Sequence, residues 1–195
     1  MSSVILELQN DALNKDVSVT DLLRKASVVA RKLKITEFEK WIQSELNGYS
    51  KPDDIPEYRH IVGIVKARNP YQGWQPALFP SYELEEAFSK RSISQTISEI
   101  ESLLAEKESG SGLQVPFSAV DGNTLRGVFG FDWPITLTIS FASLVRIIDA
   151  VRNIILNWSL KLEEDGILGK GLTFTSKEKK VVDKTSYNIT NFFAP

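Results

Sequence analysis

The chain has 195 residues, enough for one well-buried domain or a domain with a small appendage, and its 42% apolar content is that of an ordinary globular protein. Its 23 basic and 25 acidic side chains leave a formal charge of -2, which gives phosphate backbones and anionic lipid no general attraction. With no cysteine and His60 as the lone histidine, disulfides, thiolate nucleophiles, Cys-based metal sites and any Ser-His-Asp relay that does not use His60 are excluded.

The opening "MSSVILELQNDAL" has no basic run before its apolar stretch and meets Glu7 early, so it does not read as a secretory signal, and a cytoplasmic location is expected. Val4, Ile5, Leu8 and Ala12 recur on one face of a short first helix. Ser18 and Asp21 then form a capping-box-like start for an amphipathic helix carrying Val19, Leu22, Leu23, Ala26, Val29, Ala30 and Leu33. Thr36 with Glu39 predicts a third helix with Phe38, Trp41, Ile42 and Leu46, stopped at Gly48. These three make a helical N-terminal subdomain over residues 1–48.

"KPDDIPEY" reads as a turn-rich linker, in which Asp53 and Asp54 serve local backbone bonding rather than a metal. "YRHIVGIVKA" reads as a strand, with His60 sharing a face with Tyr58, Val62 and Ile64. "NPYQGWQPALFP" follows as a proline-braced loop. Ser81 caps a short helix, and Ile93, Ile97, Ile100 and Leu104 lie along the face of another. "ESGSG" is a flexible connection. "LQVPF" and "PITLTIS" are short strands joined by a Gly-containing turn region. The longest helix is "FASLVRIIDAVRNIILNWSLKLEEDG", with Leu144, Ile148, Val151, Ile155, Trp158 and Leu162 as its stripe and Gly166 as its stop. "LTFT" and "YNITNFF" are β-like, with the charged "KEKKVVDK" between them. Irregular alternation of helices and strands gives an α+β fold: an N-terminal helical hairpin or bundle plus a small mixed or antiparallel sheet, packed around one long central C-terminal helix.

Three constellations invite a functional reading. On the long helix, Arg146, Asp149, Asn153 and Asn157 cluster opposite the apolar stripe, and Asp149 stands three residues from both Arg146 and Arg152, the spacing of an intrahelical ion pair. Asp149, Arg152, Asn153 and His60 could converge on a catalytic or binding site, or serve structural pairing. In the loop, Tyr71 and Trp74, with Arg68 and Asn69 beside them, could stack a sugar or a base, or fold back to fill the edge of the core. The first helices have helix-turn-helix spacing, but "TEFEKWIQSEL" sets three glutamates against Lys40 alone, so nucleic acid is disfavoured; Arg24, Lys25, Arg31, Lys32 and Lys34 leave a modest basic surface. The charges of the long helix argue against a membrane span. The sequence contains no recognisable cofactor or metal-binding motif, and none of these groups is expected.

The ordered segments "ELNGY", "EYR", "NPYQGW" and "DAVRNIILNWSLKLEEDGILG" together resemble the AbiTii domain, an abortive-infection module first associated with a two-component phage-resistance system. The resemblance runs from about Leu8 to Phe174 and is thin between Ser89 and Thr136. It implies a single domain over residues 1–176 and a tail over 177–195, either a strand or a linker to an effector domain, so that the chain is the module alone or part of a longer protein. It also implies a bacterial or prophage-borne defence role and supplies no catalytic residues. The expectation is a sensing or protein-interaction module acting on a host, phage or self partner, with homo-oligomerisation allowed. The alternatives are a toxin enzyme acting on nucleic acid or nucleotide through Asp149 and Arg152, and a small-molecule or glycan binder using Tyr71 and Trp74.

Overall fold

A computed structural model describes residues 2–106 and 112–193. Helices α1 (Val4–Leu13), α2 (Val19–Leu33) and α3 (Thr36–Asn47) open the chain, and the first two are capped by Ser3 and Ser18, whose hydroxyls accept from the N–H groups of Leu6 and Asp21. The expected cap by Thr36 does not form. Lys34 turns the chain at φ 61 and the Ile35 N–H returns to the Ala30 carbonyl (2.9 Å), so Ile35 takes the capping position and Thr36 is already helical. Gly48 ends α3 at φ 84, where a Cβ would lie 2.9 Å from the Ser94 carbonyl; both the conformation and the space favour glycine.

Two single-turn 3-10 segments, Pro52–Asp54 and Glu57–Arg59, lead into β1 (His60–Val62) and β2 (Ile64–Asn69), one extended run interrupted at Gly63. There a Cβ would meet the Leu137 side chain at 2.8 Å and the Thr138 carbonyl at 2.9 Å. The segment "NPYQGWQPALFP" is not a loop but one half of a hairpin, because Gly73, at φ 73, lets β3 (Gly73–Pro76) return antiparallel to β2. Helix α4 (Tyr82–Ser89) is capped by Ser81 as expected; β4 (Lys90–Ser92) pairs with β1, and α5 (Ile97–Ala105) begins at a Thr96–Glu99 capping box. Ile93 therefore lies before the helix, not on it. Of "ESGSG" only Gly112 falls within the described residues.

Strand β5 (Leu113–Pro116) and strand β6 (Ile135–Ile139) form as expected, but α6 (Ala119–Phe129) stands between them where a turn region was expected. Ser118 caps it and Gly130 closes it at φ 70, while its interior glycines and single fully buried residue, Leu125, mask the helical period in sequence. The four-stranded antiparallel sheet has the order β3-β2-β6-β5. Helix α7 (Phe141–Glu164) is the spine, packing on α1, α2 and α5, with Leu144, Ile147, Val151, Ile154, Ile155, Trp158 and Leu162 buried.

Beyond α7 no strand forms among the described residues, and the β-like character of "LTFT" is confined to an isolated bridge of Thr173 with Lys170, next to one of Gly171 with Ser3. Glu178 clamps the "LTFT" region instead: one oxygen accepts from the N–H groups of Leu168 (3.0 Å) and Gly169 (2.8 Å), the other from Thr175 (2.7 Å), which starts α8 (Ser176–Val182) within "KEKKVVDK". "YNITNFF" forms a 3-10 turn, Ile189–Phe192, capped by Asn188. Tyr187 is buried with its hydroxyl donating to Asp165 (2.6 Å), and Phe192 meets Phe38 edge-on at 6.1 Å, so residues 177–193 lie against the same core as the rest of the chain.

Candidate functional site

The polar groups of α7 separate by helical position. Arg146, Asp149, Asn153 and Asn157 line one groove of about 300 Å³, closed on its far side by Tyr58, Phe192 and Phe193. Arg152 points away from it. Its Nη1 donates to the carbonyls of Asp11 (3.3 Å), Ala12 (3.3 Å) and Asn14 (2.9 Å), and its Nη2 to that of Val17 (2.7 Å). These oxygens lie at the end of α1 and in the α1–α2 turn, where regular helical partners run out, and those of Asp11 and Asn14 also accept from the N–H groups of Asn14 (3.2 Å) and Val17 (3.3 Å). Neither intrahelical ion pair forms among the described residues, and Arg146 donates to the Ser143 hydroxyl at 3.1 Å. His60 is exposed, with Nδ1 2.8 Å from the Ser92 hydroxyl across the β1–β4 pair, and does not line the groove. Asp149 and Asn153 are thus brought together, and Arg152 and His60 are not. Arg152→Ala should cost about 2 kcal/mol, the scale of a charge-assisted hydrogen-bond set. Differential scanning calorimetry should show a drop of roughly 4–8 °C in Tm, with no change in the groove beside Asp149.

The hairpin residues are also divided, by strand alternation. Arg68 stands directly opposite Trp74, and Asn69 opposite Gly73. Arg68 and Trp74 therefore share one sheet face with Lys66 and Ile64, while Asn69, Ala67 and Gln75 share the other. Tyr71 is 96% exposed at the tip, and the Asn69 carboxamide oxygen accepts from the N–H groups of Tyr71 (2.8 Å) and Gln72 (3.1 Å), fixing the turn. Tyr71 does not fold back into the core.

Sequence reading missed the wall opposite Asn69. A cleft of about 460 Å³ opens between the hairpin and the end of α6, with Ala67 and Ala77 at its base and Phe79, Phe129, Phe131 and Trp133 along its side. Phe129 and Phe131 stack at 5.4 Å and 9°, Phe131 and Trp133 at 4.3 Å and 25°, and Phe79 meets Phe129 edge-on at 4.9 Å. The signal was the every-second-residue aromatic spacing of "FGFDW", read as a turn between strands.

A second missed cluster is sealed. Glu45 and Arg59 have no solvent exposure and pair with each other, the Arg59 Nε donating to Glu45 Oε1 at 3.1 Å. The hydroxyls of Tyr49 (2.6 Å) and Tyr58 (2.5 Å) donate to the same oxygen, and Trp41 Nε1 donates to the Tyr58 hydroxyl (2.9 Å). Arg59 Nη1 completes the set on the carbonyls of Ile93 (2.9 Å) and Gln95 (2.8 Å). Burial, then the neighbouring Glu45 charge, pushes both phenols well above their ordinary 10.0; burial opposes the Arg59 charge, but bonding to Glu45 outweighs it and its affinity for the proton rises. This cluster ties α3, the 3-10 segment before β1 and the approach to α5 together, and its "ELNGY" and "EYR" residues are among the segments that carried the family resemblance.

Elsewhere the chemistry is self-contained. The basic surface on α2 is largely paired, Arg24 with Asp21 (2.9 Å), Lys25 with Asp11 and Arg31 with Glu39 (2.8 Å). Among the described residues no cluster of three or more His, Asp or Glu side chains is arranged to hold a metal, and no helix is long and apolar enough to cross a membrane.

Comparison with curated proteins and with solved structures returned no match. The family model AbiTii matches residues 3–187, from the cap of α1 to the buried Tyr187, and so spans the helical subdomain, the sheet and the spine helix. The chain belongs to the AbiTii family, which points to a role in abortive-infection defence against phage.

Proposed function

We propose that the chain works in abortive infection as a sensing or protein-interaction module without catalysis of its own, and that the outer face of the hairpin sheet is where a protein partner docks. The observation that carries this reading is the chemistry of that face. Ile64 is 56% exposed on the same face as Lys66, Arg68 and Trp74, and Val62, at the adjoining end of β1, is 64% exposed. β-branched side chains left open on the solvent side of a sheet, beside two cations with no ion pair among the described residues, fit a partner surface that is itself apolar with acidic neighbours. The competing reading, catalysis through Asp149 and Arg152, loses support because four main-chain carbonyls hold the Arg152 guanidinium.

Plating efficiency of phage on cells carrying the defence system tests the proposal. Ile64→Asp and Arg68→Glu, both at exposed positions, should abolish protection while the circular dichroism spectrum and yield of the purified chain stay unchanged. Protection retained by both variants would overturn the reading. Protection lost on Asp149→Ala at unchanged yield would replace it with the enzyme.

A further inference from the structure

The cleft on the inner side of the hairpin combines three features that no part of the fold requires. The first is a column of stacked rings: Phe131 lies 5.4 Å from Phe129 and 4.3 Å from Trp133, centroid to centroid, and all three remain only half-buried. Rings whose task is to fill a core are normally enclosed by it; these line an open volume of about 460 Å³, within the range of small-molecule sites.

The second feature is the polar lining, which consists of the carboxamides of Asn69, Gln72 and Gln75. Each carboxamide presents a donor and an acceptor in one plane, the arrangement that pairs with the edge of a heteroaromatic base. Two of them are already oriented. Gln75 Nε2 donates to the Gln72 carbonyl (2.9 Å), which leaves its oxygen as an acceptor, and the Asn69 oxygen is engaged by the turn, which leaves its amide nitrogen as a donor.

The third is charge. No ionisable side chain lines the cleft, and the nearest strand cations, Lys66 and Arg68, stand on the opposite face of the sheet. A phosphate or carboxylate would find no counter-charge there. The ligand class that satisfies all three features is a flat, neutral ring with hydrogen-bonding groups on its edge.

We propose that this cleft binds a nucleobase, carried by a free nucleoside or nucleotide, with the ring stacked on Trp133 at the end of the Phe129–Phe131–Trp133 column and its edge read by Asn69, Gln72 and Gln75. The site is independent of the partner surface, which occupies the other side of the same hairpin.

Isothermal titration calorimetry of the chain with adenosine, guanosine, cytidine and uridine, with their 5′-monophosphates and with glucose and N-acetylglucosamine tests the assignment. At least one nucleoside should bind saturably, and its monophosphate should bind equally well because no cation lines the cleft. Trp133→Ala should weaken that binding about 5- to 150-fold, the range for losing one stacked base, and Trp133→Phe should restore most of it. Gln75→Ala should change the order of preference among the four bases. Saturation by a sugar with no response to any nucleoside, a strict need for the phosphate, binding indifferent to Trp133→Ala, or no saturable binding at millimolar concentrations would each overturn the proposal.

Discussion

Glu45→Ala is expected to remove a large part of the protein's stability. It leaves the Arg59 guanidinium buried with no carboxylate and strips the Tyr49 and Tyr58 hydroxyls of their acceptor. Breaking one partner out of a buried pair costs about 3–5 kcal/mol, against a total stability on the order of 5–15 kcal/mol. Urea unfolding followed by circular dichroism should show the midpoint falling by a third or more. The double variant Glu45→Met with Arg59→Met should recover much of that loss, because two apolar side chains of similar volume need no partners; a double variant as unstable as the single would show that the other hydrogen bonds, not the unpaired charge, set the cost. The phenols add a pH arm. Their proton is held more tightly in the folded state than in the unfolded one, so their contribution is fully present below about pH 10 and is lost as the pH rises past it. Wild-type stability should therefore fall at alkaline pH, and Tyr49→Phe with Tyr58→Phe should flatten that fall.

Periodic, strongly amphipathic stretches were legible from sequence, and physical reasons account for the rest. Helices α2 and α7 and strands β2 and β6 bury one continuous set of side chains each, so their spacing alone reveals them. Helix α6 buries little besides Leu125, and the tail elements are held by Glu178, Asn188, the buried Val182 and Tyr187 and two phenylalanines, isolated contacts that leave no period. The functional residues suffered from the opposite problem. Arg68, Asn69, Tyr71 and Trp74 are adjacent in sequence, and β pairing sends neighbours to opposite faces, so nearness along the chain said nothing about a shared site. Arg152 and Asp149 looked paired at helical spacing because the carbonyls that claim Arg152 lie some 140 residues earlier. Glu45 and Arg59 were each readable as surface charges, and only the fold brings them together at zero exposure.

Trp158→Ala should be nearly as damaging as the loss of Glu45, for a different reason. The indole is fully buried at the middle of the fold, and it stacks on Phe38 with ring centroids 4.0 Å apart and planes 15° from parallel. Phe38 in turn touches Trp41 (5.0 Å) and the tail's Phe192 (6.1 Å), so the cavity left by the alanine opens between the spine helix, α3 and the C-terminal turn together. Truncating a buried tryptophan costs about 3–5 kcal/mol, and a cavity bounded by three separate elements has little means of collapsing. Trp158→Phe discriminates packing from polarity. Trp158 Nε1 has no hydrogen-bond partner among the described residues, and an orphaned buried donor carries a cost of roughly 1–3 kcal/mol that phenylalanine removes while giving up part of the ring volume. The two effects oppose each other, so Trp158→Phe should stay within about 1 kcal/mol of wild type. Denaturant midpoints of the two variants test this directly: an alanine variant losing less than about 1 kcal/mol would mean that Trp158 is not the centre of the core, and a phenylalanine variant as unstable as the alanine one would mean that the indole nitrogen is satisfied after all. Because Phe192 rests on Phe38, limited proteolysis of Trp158→Ala should also cut first within the C-terminal turn, whereas Glu45→Ala should expose the segment around Tyr58.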